Sequence, residues 1–279
     1  MDILMRGEQV LSRVVFRISA GFLVVALVLV ATALSLSEYY LGEAQRLSAA
    51  GDAKGALEAS GRAARLDPFD IEGLETQAFF LEQQGRYEDA AAALREATER
   101  DPHNYITYLM LGNLQLGELD DPDAAVESYR DVLRLNPEES SVREILAREL
   151  IQQGELGEAR EEYERLREEG DISSQGLYDL GRIYVRTGAP REGLQTIKHA
   201  KRRAESELEE LEGPLKEERR QLVVSMQLAI ADALVVQGRY DEAREIIAQS
   251  SSEQAPALLQ LLDSNPDAYR ESVVTSEIY

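Results

Sequence analysis

The hydrophobic positions of the chain form two patterns, a continuous apolar run near the N-terminus and a periodic pattern beyond it. The run extends from Ile18 to Leu36 and contains no charged residue. An α-helix of this length spans about 28 Å, which is close to the thickness of the hydrocarbon core of a bilayer. The pattern therefore predicts a transmembrane helix over residues 18–36.

Charges on either side of the run predict its orientation. Three arginines precede the run, whereas the first charged residues after it are Glu38 and Glu43. Because positively charged flanks remain cytoplasmic, we expect a short cytoplasmic N-terminus over residues 1–17. The chain from residue 37 onward is then extracytoplasmic, and the protein crosses the cell membrane once.

A cleavable signal peptide is the alternative interpretation of the same run. Ala31-Thr32-Ala33 has the small-x-small form that a signal peptidase accepts, and cleavage after Ala33 would release a soluble exported protein. The apolar run continues past this site to Leu36 without a helix breaker, which favours an uncleaved anchor. Both interpretations export the remainder of the chain.

From residue 37 to residue 249 the sequence repeats with a period near 34 residues. Three successive segments end at Pro68, Pro102 and Pro137, which are 34 and 35 residues apart. Within a copy, a turn glycine precedes a small residue by five positions, as Gly85 precedes Ala90. This offset recurs in about six copies, and a period of this length is typical of helical repeat proteins.

The residues of the fifth copy carry a family signature. Leu177, Leu180, Gly181 and Tyr184 have the spacing of the first-helix motif of the tetratricopeptide repeat (TPR), and with the closing prolines the chain resembles that family. The resemblance implies an all-α fold, in which an N-terminal transmembrane helix is followed by antiparallel helix pairs that stack into a superhelical solenoid. It also implies a concave groove that binds a protein or peptide partner.

Helix-pair packing gives the repeated positions a physical role. Glycines at the end of each first helix favour left-handed backbone angles; they are Gly51, Gly85, Gly154, Gly188 and Gly238. Small residues in each second helix allow the two helices to approach closely; they are Ala56, Ala90, Ala125, Ala159 and Ala243.

Two segments depart from the period. Residues 201–223 are rich in charge, with leucines at helical spacing, and predict an extended helical hairpin broken at Gly213-Pro214. This insertion is interpreted as a solvated extension or, alternatively, as an arm that docks a partner. Residues 250–279 are expected to form a short capping helix and, from Ser264, a loose tail.

Composition excludes several classes of chemistry. The 279 residues include no cysteine and two histidines, which excludes disulfides, thiol nucleophiles and Cys-based or His-rich metal sites. With 52 acidic and 30 basic residues, the net charge of −22 repels nucleic acid. The sequence has no phosphate-binding loop, zinc-protease motif or serine-hydrolase motif. We therefore expect no enzyme activity, cofactor, metal or nucleic-acid partner.

The family resemblance also implies which first-helix residues line the groove. They are Phe79, Leu109, Asn113, Leu116, Arg148, Ile151, Tyr178, Arg182, Val185 and Arg186. Three arginines beside apolar side chains suggest a peptide with apolar anchors and a carboxylate. The pattern by which some family members grip a C-terminal carboxylate is not matched, because Leu109 stands where a lysine is needed. An adaptor for chaperone tails is therefore disfavoured.

These observations predict a membrane-anchored scaffold for protein–protein interaction on the extracytoplasmic side. The 26 arginines and 4 lysines suit a GC-rich bacterial genome, and similar bacterial proteins assist assembly, secretion or folding of an envelope complex. One alternative is an accessory subunit of an envelope glycan polymerase or ligase, because such enzymes carry repeats that resemble residues 56–70. The other is the soluble exported repeat protein released after Ala33.

Overall fold

The computed structural model describes residues 2–276 and 278, and these residues form fourteen α-helices and no strand. The predicted all-α fold is therefore confirmed. The helices are α1 Asp2–Ala49, α2 Ala53–Leu66, α3 Glu72–Glu82, α4 Tyr87–Arg100, α5 Tyr105–Gly117, α6 Pro122–Leu135, α7 Ser140–Gln152, α8 Leu156–Glu169, α9 Ser174–Arg186, α10 Pro190–Glu210, α11 Gly213–Val236, α12 Tyr240–Ala248, α13 Ala255–Ser264 and α14 Pro266–Thr275.

The chain divides into two compact units, Met1–Asp131 and Val132–Tyr279. In the first unit α1 pairs with α2, α3 pairs with α4, and α5 packs against α4 and the start of α6. In the second unit the pairs are α7 with α8, α9 with α10 and α11 with α12, followed by α13 and α14. Consecutive antiparallel pairs are the arrangement expected for TPR helices.

Helix α1 joins the apolar run to the first repeat without a break. Apolar side chains of the run, such as Phe22 and Leu29, are exposed, whereas Leu41 near the end of the helix is buried. Ser37 Oγ donates a hydrogen bond of 3.0 Å to the backbone oxygen of Ala63 in α2. The helix over Ser19–Ala49 is long and apolar enough to cross a membrane, a property that it shares with signal sequences.

The predicted turn and packing positions explain how the pairs form. All five turn glycines have φ between 69° and 89°, in the left-handed region. In the third copy, whose turn is one residue longer, Asp120 takes that conformation with φ 51°. The five alanines in the second helices are fully buried, because each lies where its helix contacts the first helix of the pair.

The fifth pair, α9 and α10, shows the closest approach of two helices. A Cβ atom added to Gly193 would lie 2.6 Å from both the backbone oxygen of Gly181 and Cγ2 of Val185. Only glycine fits at this contact, which is the position that alanine occupies in the other pairs. The fifth copy therefore departs from the alanine pattern because its two backbones are closer.

The charged insertion, residues 201–223, forms the end of α10 and the start of α11. The helices are interrupted at Leu211 and Glu212. Near the interruption, Arg219 donates a hydrogen bond of 2.8 Å to Ser174 Oγ and lies 3.2 Å from Glu207. Part of the insertion is thereby tied to the start of α9 and does not protrude freely.

The C-terminal region differs from the expectation of a loose tail. Residues from Pro266 to Thr275 form α14, whose N-terminus is capped by Asn265, with Oδ1 accepting a bond of 3.0 Å from the Ala268 amide. Tyr269 and Val273, four residues apart on this helix, are buried. Their burial provides the hydrophobic free energy that orders the segment. Glu277 and Tyr279, which the expectation also covered, lie outside the described residues.

Candidate functional site

The first unit contains four of the predicted groove residues. Phe79, on α3, is 50% exposed, and Leu109 and Leu116, on α5, are half-buried. Asn113 is exposed, and its Oδ1 accepts a hydrogen bond of 3.0 Å from the hydroxyl of Tyr129. Asn113 therefore helps to hold α6 against α5, in addition to facing solvent.

An open cleft of about 520 Å³ lies on the first-helix side of this unit. Its lining residues are Gln45, Ser48 and Ala49 from α1, Glu75, Thr76, Phe79 and Phe80 from α3, and Met110 from α5. Phe80 is buried, and its ring meets that of Phe79 edge-on with centroids 5.3 Å apart. The buried ring thus supports the exposed one at the wall of the cleft.

The chemistry of this cleft is mostly apolar. Glu75 is the one charged residue among its lining residues, and its Oε1 accepts a hydrogen bond of 2.6 Å from Thr107 Oγ1. None of the lining residues is basic, so the carboxylate that the three arginines suggest has no partner here. The cleft suits an apolar side chain.

Sequence reasoning missed the α1 side of this cleft and Met110. The expected groove contained no residue from the first copy, in which Glu43 stands where the family usually has leucine. The available signal was the pair Leu41 and Ala44, both of which are buried. Their spacing already marks the end of α1 as a packed repeat helix.

The second unit contains the other six predicted residues. Ile151, Tyr178 and Val185 are buried, so they form the wall of the site and not its surface. Arg148 is half-buried on α7. The guanidinium of Arg182 lies 5.1 Å from the centroid of the Tyr178 ring, which fixes its position by a cation–π contact.

Two of the predicted arginines bind a later segment of the same chain. Arg182 Nη2 donates a hydrogen bond to the backbone oxygen of Ile278. Arg186 donates from Nε to the backbone oxygen of Ser276 at 3.1 Å and from Nη2 to Ser276 Oγ at 3.2 Å. Ile278 is 4% exposed. An adjoining cleft of about 310 Å³ has Ile151, Arg186 and Ile278 among its lining residues.

A half-buried acid, Asp232, interacts electrostatically with these arginines. Burial raises the pKa of Asp232, on α11, while a hydrogen bond from Tyr269 and the charges of Arg186 and Arg182 act in the opposite direction. The Tyr269 hydroxyl donates to Asp232 Oδ1 at 2.8 Å. Burial, with the neighbouring charge of Asp232, raises the pKa of Tyr269, so the hydroxyl stays protonated as a donor.

Neither region has the geometry of a metal centre. In the part of the chain that the structure describes, no group of three or more histidine, cysteine, aspartate or glutamate side chains could hold a metal ion. The two sites instead present different binding chemistry. One offers exposed aromatic surface in an open cleft, and the other offers guanidinium groups directed at backbone oxygens.

Comparison with known families identifies the repeats. Family models described as tetratricopeptide repeat match residues 81–140, 109–171, 145–207 and 227–249, which together cover more than half of the chain. The chain belongs to the tetratricopeptide repeat family. No curated protein sequence matches this TPR protein.

Solved structures show the same fold. The crystal structure of the MamA protein is 21% identical with a TM-score of 0.52, covering 64% of this chain and 97% of that one. A tetratricopeptide repeat protein from Parabacteroides merdae ATCC 43184 is 16% identical with a TM-score of 0.50, covering 82% of this chain and 99% of that one. At these identities the likeness concerns the TPR fold alone.

Proposed function

We propose that this TPR protein is a membrane-anchored scaffold that assists assembly, secretion or folding of an envelope complex. Its N-terminus is cytoplasmic, residues 18–36 cross the cell membrane, and the repeats are extracytoplasmic. The exposed apolar side chains of α1 support the anchor, because no protein surface covers them. Tyr39 and Tyr40 lie three and four residues beyond Leu36, at the level where tyrosines favour the interface between membrane and water.

The binding site of this scaffold is the cleft of the first unit, and its ligand is an apolar segment of a partner protein. The observation that carries this proposal is Phe79, a large apolar side chain that stays half exposed inside a cleft built by three first helices. Clefts with an exposed aromatic anchor are typical of interaction sites. Catalysis, where the complex has any, belongs to the partner.

Affinity capture of the full-length protein from solubilised membranes tests the binding site. We expect Phe79→Ser to abolish capture of the partner, because the serine removes the aromatic anchor. The matched control is Phe69→Ser, since Phe69 is 86% exposed but does not line the cleft. If both variants capture the same partners as the unchanged protein, the binding surface lies elsewhere.

Sequencing of the mature N-terminus tests the anchor separately. A chain that still begins before residue 18 and fractionates with membranes supports the transmembrane helix. A mature chain that begins at Leu34 and is found in the soluble exported fraction identifies the run as a signal peptide instead. The cleft proposal is unaffected by that result, because Gln45 is the first residue that lines the cleft.

A further inference from the structure

The residue that directly follows α14, Ser276, has the extended backbone of a bound peptide. Helix α14 ends at Thr275, and Ser276 has extended backbone angles, with φ −68° and ψ 149°. In an extended segment the backbone oxygens are not used by helical hydrogen bonds. Those of Ser276 and Ile278 are available, and Arg186 and Arg182 donate to them.

The contacts at this site combine two kinds of recognition. The guanidinium groups of Arg186 and Arg182 donate to the backbone oxygens of Ser276 and Ile278, which are two residues apart. Arg186 also donates to the Ser276 hydroxyl. The second kind of contact is apolar, because the side chain of Ile278 is almost completely buried. The hydrogen bonds require backbone oxygens that are not used within a helix, and the burial of Ile278 requires an aliphatic side chain.

We infer that the face formed by Arg182, Arg186 and Ile151 is a peptide-binding site whose resident ligand is the C-terminal segment of the same chain, held at Ser276 and Ile278. A partner peptide with an aliphatic side chain and two free backbone oxygens at this spacing competes for the same site. The inference does not depend on the cleft of the first unit, since every residue involved belongs to the second unit.

Tethering explains why the site is filled. A ligand joined to its site by a short segment has an effective concentration in the millimolar range. The tether is α14, which Tyr269 and Val273 hold in place by burial. A free peptide therefore competes only when it is concentrated or when α14 is loosened. The C-terminal segment thus raises the concentration of partner that is needed for binding.

Cysteine labelling of the full-length protein in detergent tests this inference, because the chain contains no native cysteine. The labelling rate of Ile278→Cys measures how often residue 278 leaves the site. The matched control is Val274→Cys, four residues earlier on α14, where the native side chain is 42% exposed. We expect a maleimide to label Ile278→Cys at least about tenfold more slowly than Val274→Cys, because labelling requires local opening.

Replacement of the arginines tests what holds the segment. We expect Arg182→Ala with Arg186→Ala to bring the labelling rate of Ile278→Cys to that of Val274→Cys, measured in the same background. Arg148→Ala is the control, because Arg148 belongs to the predicted groove but is not one of the two arginines that donate to the C-terminal segment. Circular dichroism establishes that both variants remain helical.

A competition experiment tests whether an external peptide binds the site when Arg182 and Arg186 are unchanged. A synthetic peptide of residues 270–279, added in millimolar excess, is expected to accelerate labelling of Ile278→Cys, and the same peptide with Ile278→Asp is expected not to. Equal labelling of Ile278→Cys and Val274→Cys would overturn the occupied site. If Ile278→Cys is still labelled slowly when both arginines are replaced, the arginines do not hold the segment. If the added peptide leaves the labelling rate of Ile278→Cys unchanged, a partner peptide does not compete for the site.

Discussion

The two units use their first helices differently. In the first unit, Phe79 is 50% exposed in an open cleft, whereas in the second unit Tyr178 and Val185 are buried near a C-terminal segment that Arg182 and Arg186 hold. Both surfaces come from the same repeat pattern. The comparison shows that the repeat determines which residues face the site, while the segment that follows the repeats determines whether the site is open.

The difference has an energetic cause. Burial of a tyrosine and of aliphatic side chains stabilises a folded segment by about 1.5–3 kcal/mol for each large side chain, and α14 contributes Tyr269 and Val273 in this way. In the first unit Phe79 and Ile106 remain about half exposed. Apolar side chains of the first unit therefore remain available for burial by another molecule, whereas those of the second unit are already buried within the chain.

The largest expected effect is on the first unit. Ala90→Arg places a charged side chain at a fully buried contact between α3 and α4. We expect a loss of stability of about 4 kcal/mol, because an unpaired charge is buried and the helices are forced apart. Thermal denaturation followed by circular dichroism measures it. Ala92→Arg, two residues later and exposed, should leave the melting temperature nearly unchanged; equal effects would contradict this helix pairing.

A second substitution disrupts the face that holds the tail. Gly193→Leu in the second unit introduces a side chain where a Cβ atom alone would lie 2.6 Å from the Gly181 oxygen. We expect a loss of about 3 kcal/mol from overpacking against the backbone, together with faster cysteine labelling at position 278. At Gly157, where an added Cβ meets no atom within 4 Å, leucine should be tolerated. A stable Gly193→Leu variant would show that α9 and α10 are not in close contact.

A smaller change weakens the packing of α14 in the second unit without altering the helix pairs. Tyr269→Phe removes the hydrogen bond to Asp232 and leaves that acid with one fewer donor. The expected cost is about 1–2 kcal/mol, measured by denaturant unfolding. Tyr240→Phe is the control in the same unit, because the Tyr240 hydroxyl makes no hydrogen bond with any described residue. If the two variants lose equal stability, the Tyr269 bond contributes nothing.

The sequence predicts the fold more completely than the site, for a physical reason. Repeated contacts such as Ala90 in α4 depend on neighbours in the same repeat, so the local pattern contains them. The contact of Arg182 with Ile278 joins residues that are 96 positions apart, and no periodicity relates them. The groove prediction selected Arg182 and Arg186 from the first-helix pattern, and that pattern could not identify the C-terminal tail as their neighbour.

The tail itself carried a weak signal that the prediction did not use. Tyr269 and Val273 have the i, i+4 spacing of a helix with one apolar face, and Asn265-Pro266 is a typical start for a helix. These features predict α14 from sequence. They do not predict where α14 packs, because Asp232, which binds Tyr269 of α14, belongs to a helix that begins in the charged insertion.

The smallest expected effect is a dependence of the second unit on pH. Because burial raises the pKa of Asp232 above its ordinary 3.8, the folded state binds a proton more tightly than the unfolded state. The contribution of Asp232 to stability is therefore greatest below the unfolded pKa and falls as pH rises through the folded pKa. The hydrogen bond from Tyr269 and the charges of Arg186 and Arg182 oppose this effect of burial and so reduce the expected change.

Asp232→Asn isolates this effect from that of the other carboxylates. The asparagine has no proton to lose, so its stability relative to the unchanged protein should increase as pH rises from 3 towards neutrality, as measured by urea unfolding at each pH. The matched control is Asp241→Asn, since Asp241 is almost fully exposed at the start of α12. A difference that stays constant with pH would mean that Asp232 ionises equally in both states, and that the arginines and Tyr269 fully offset its burial.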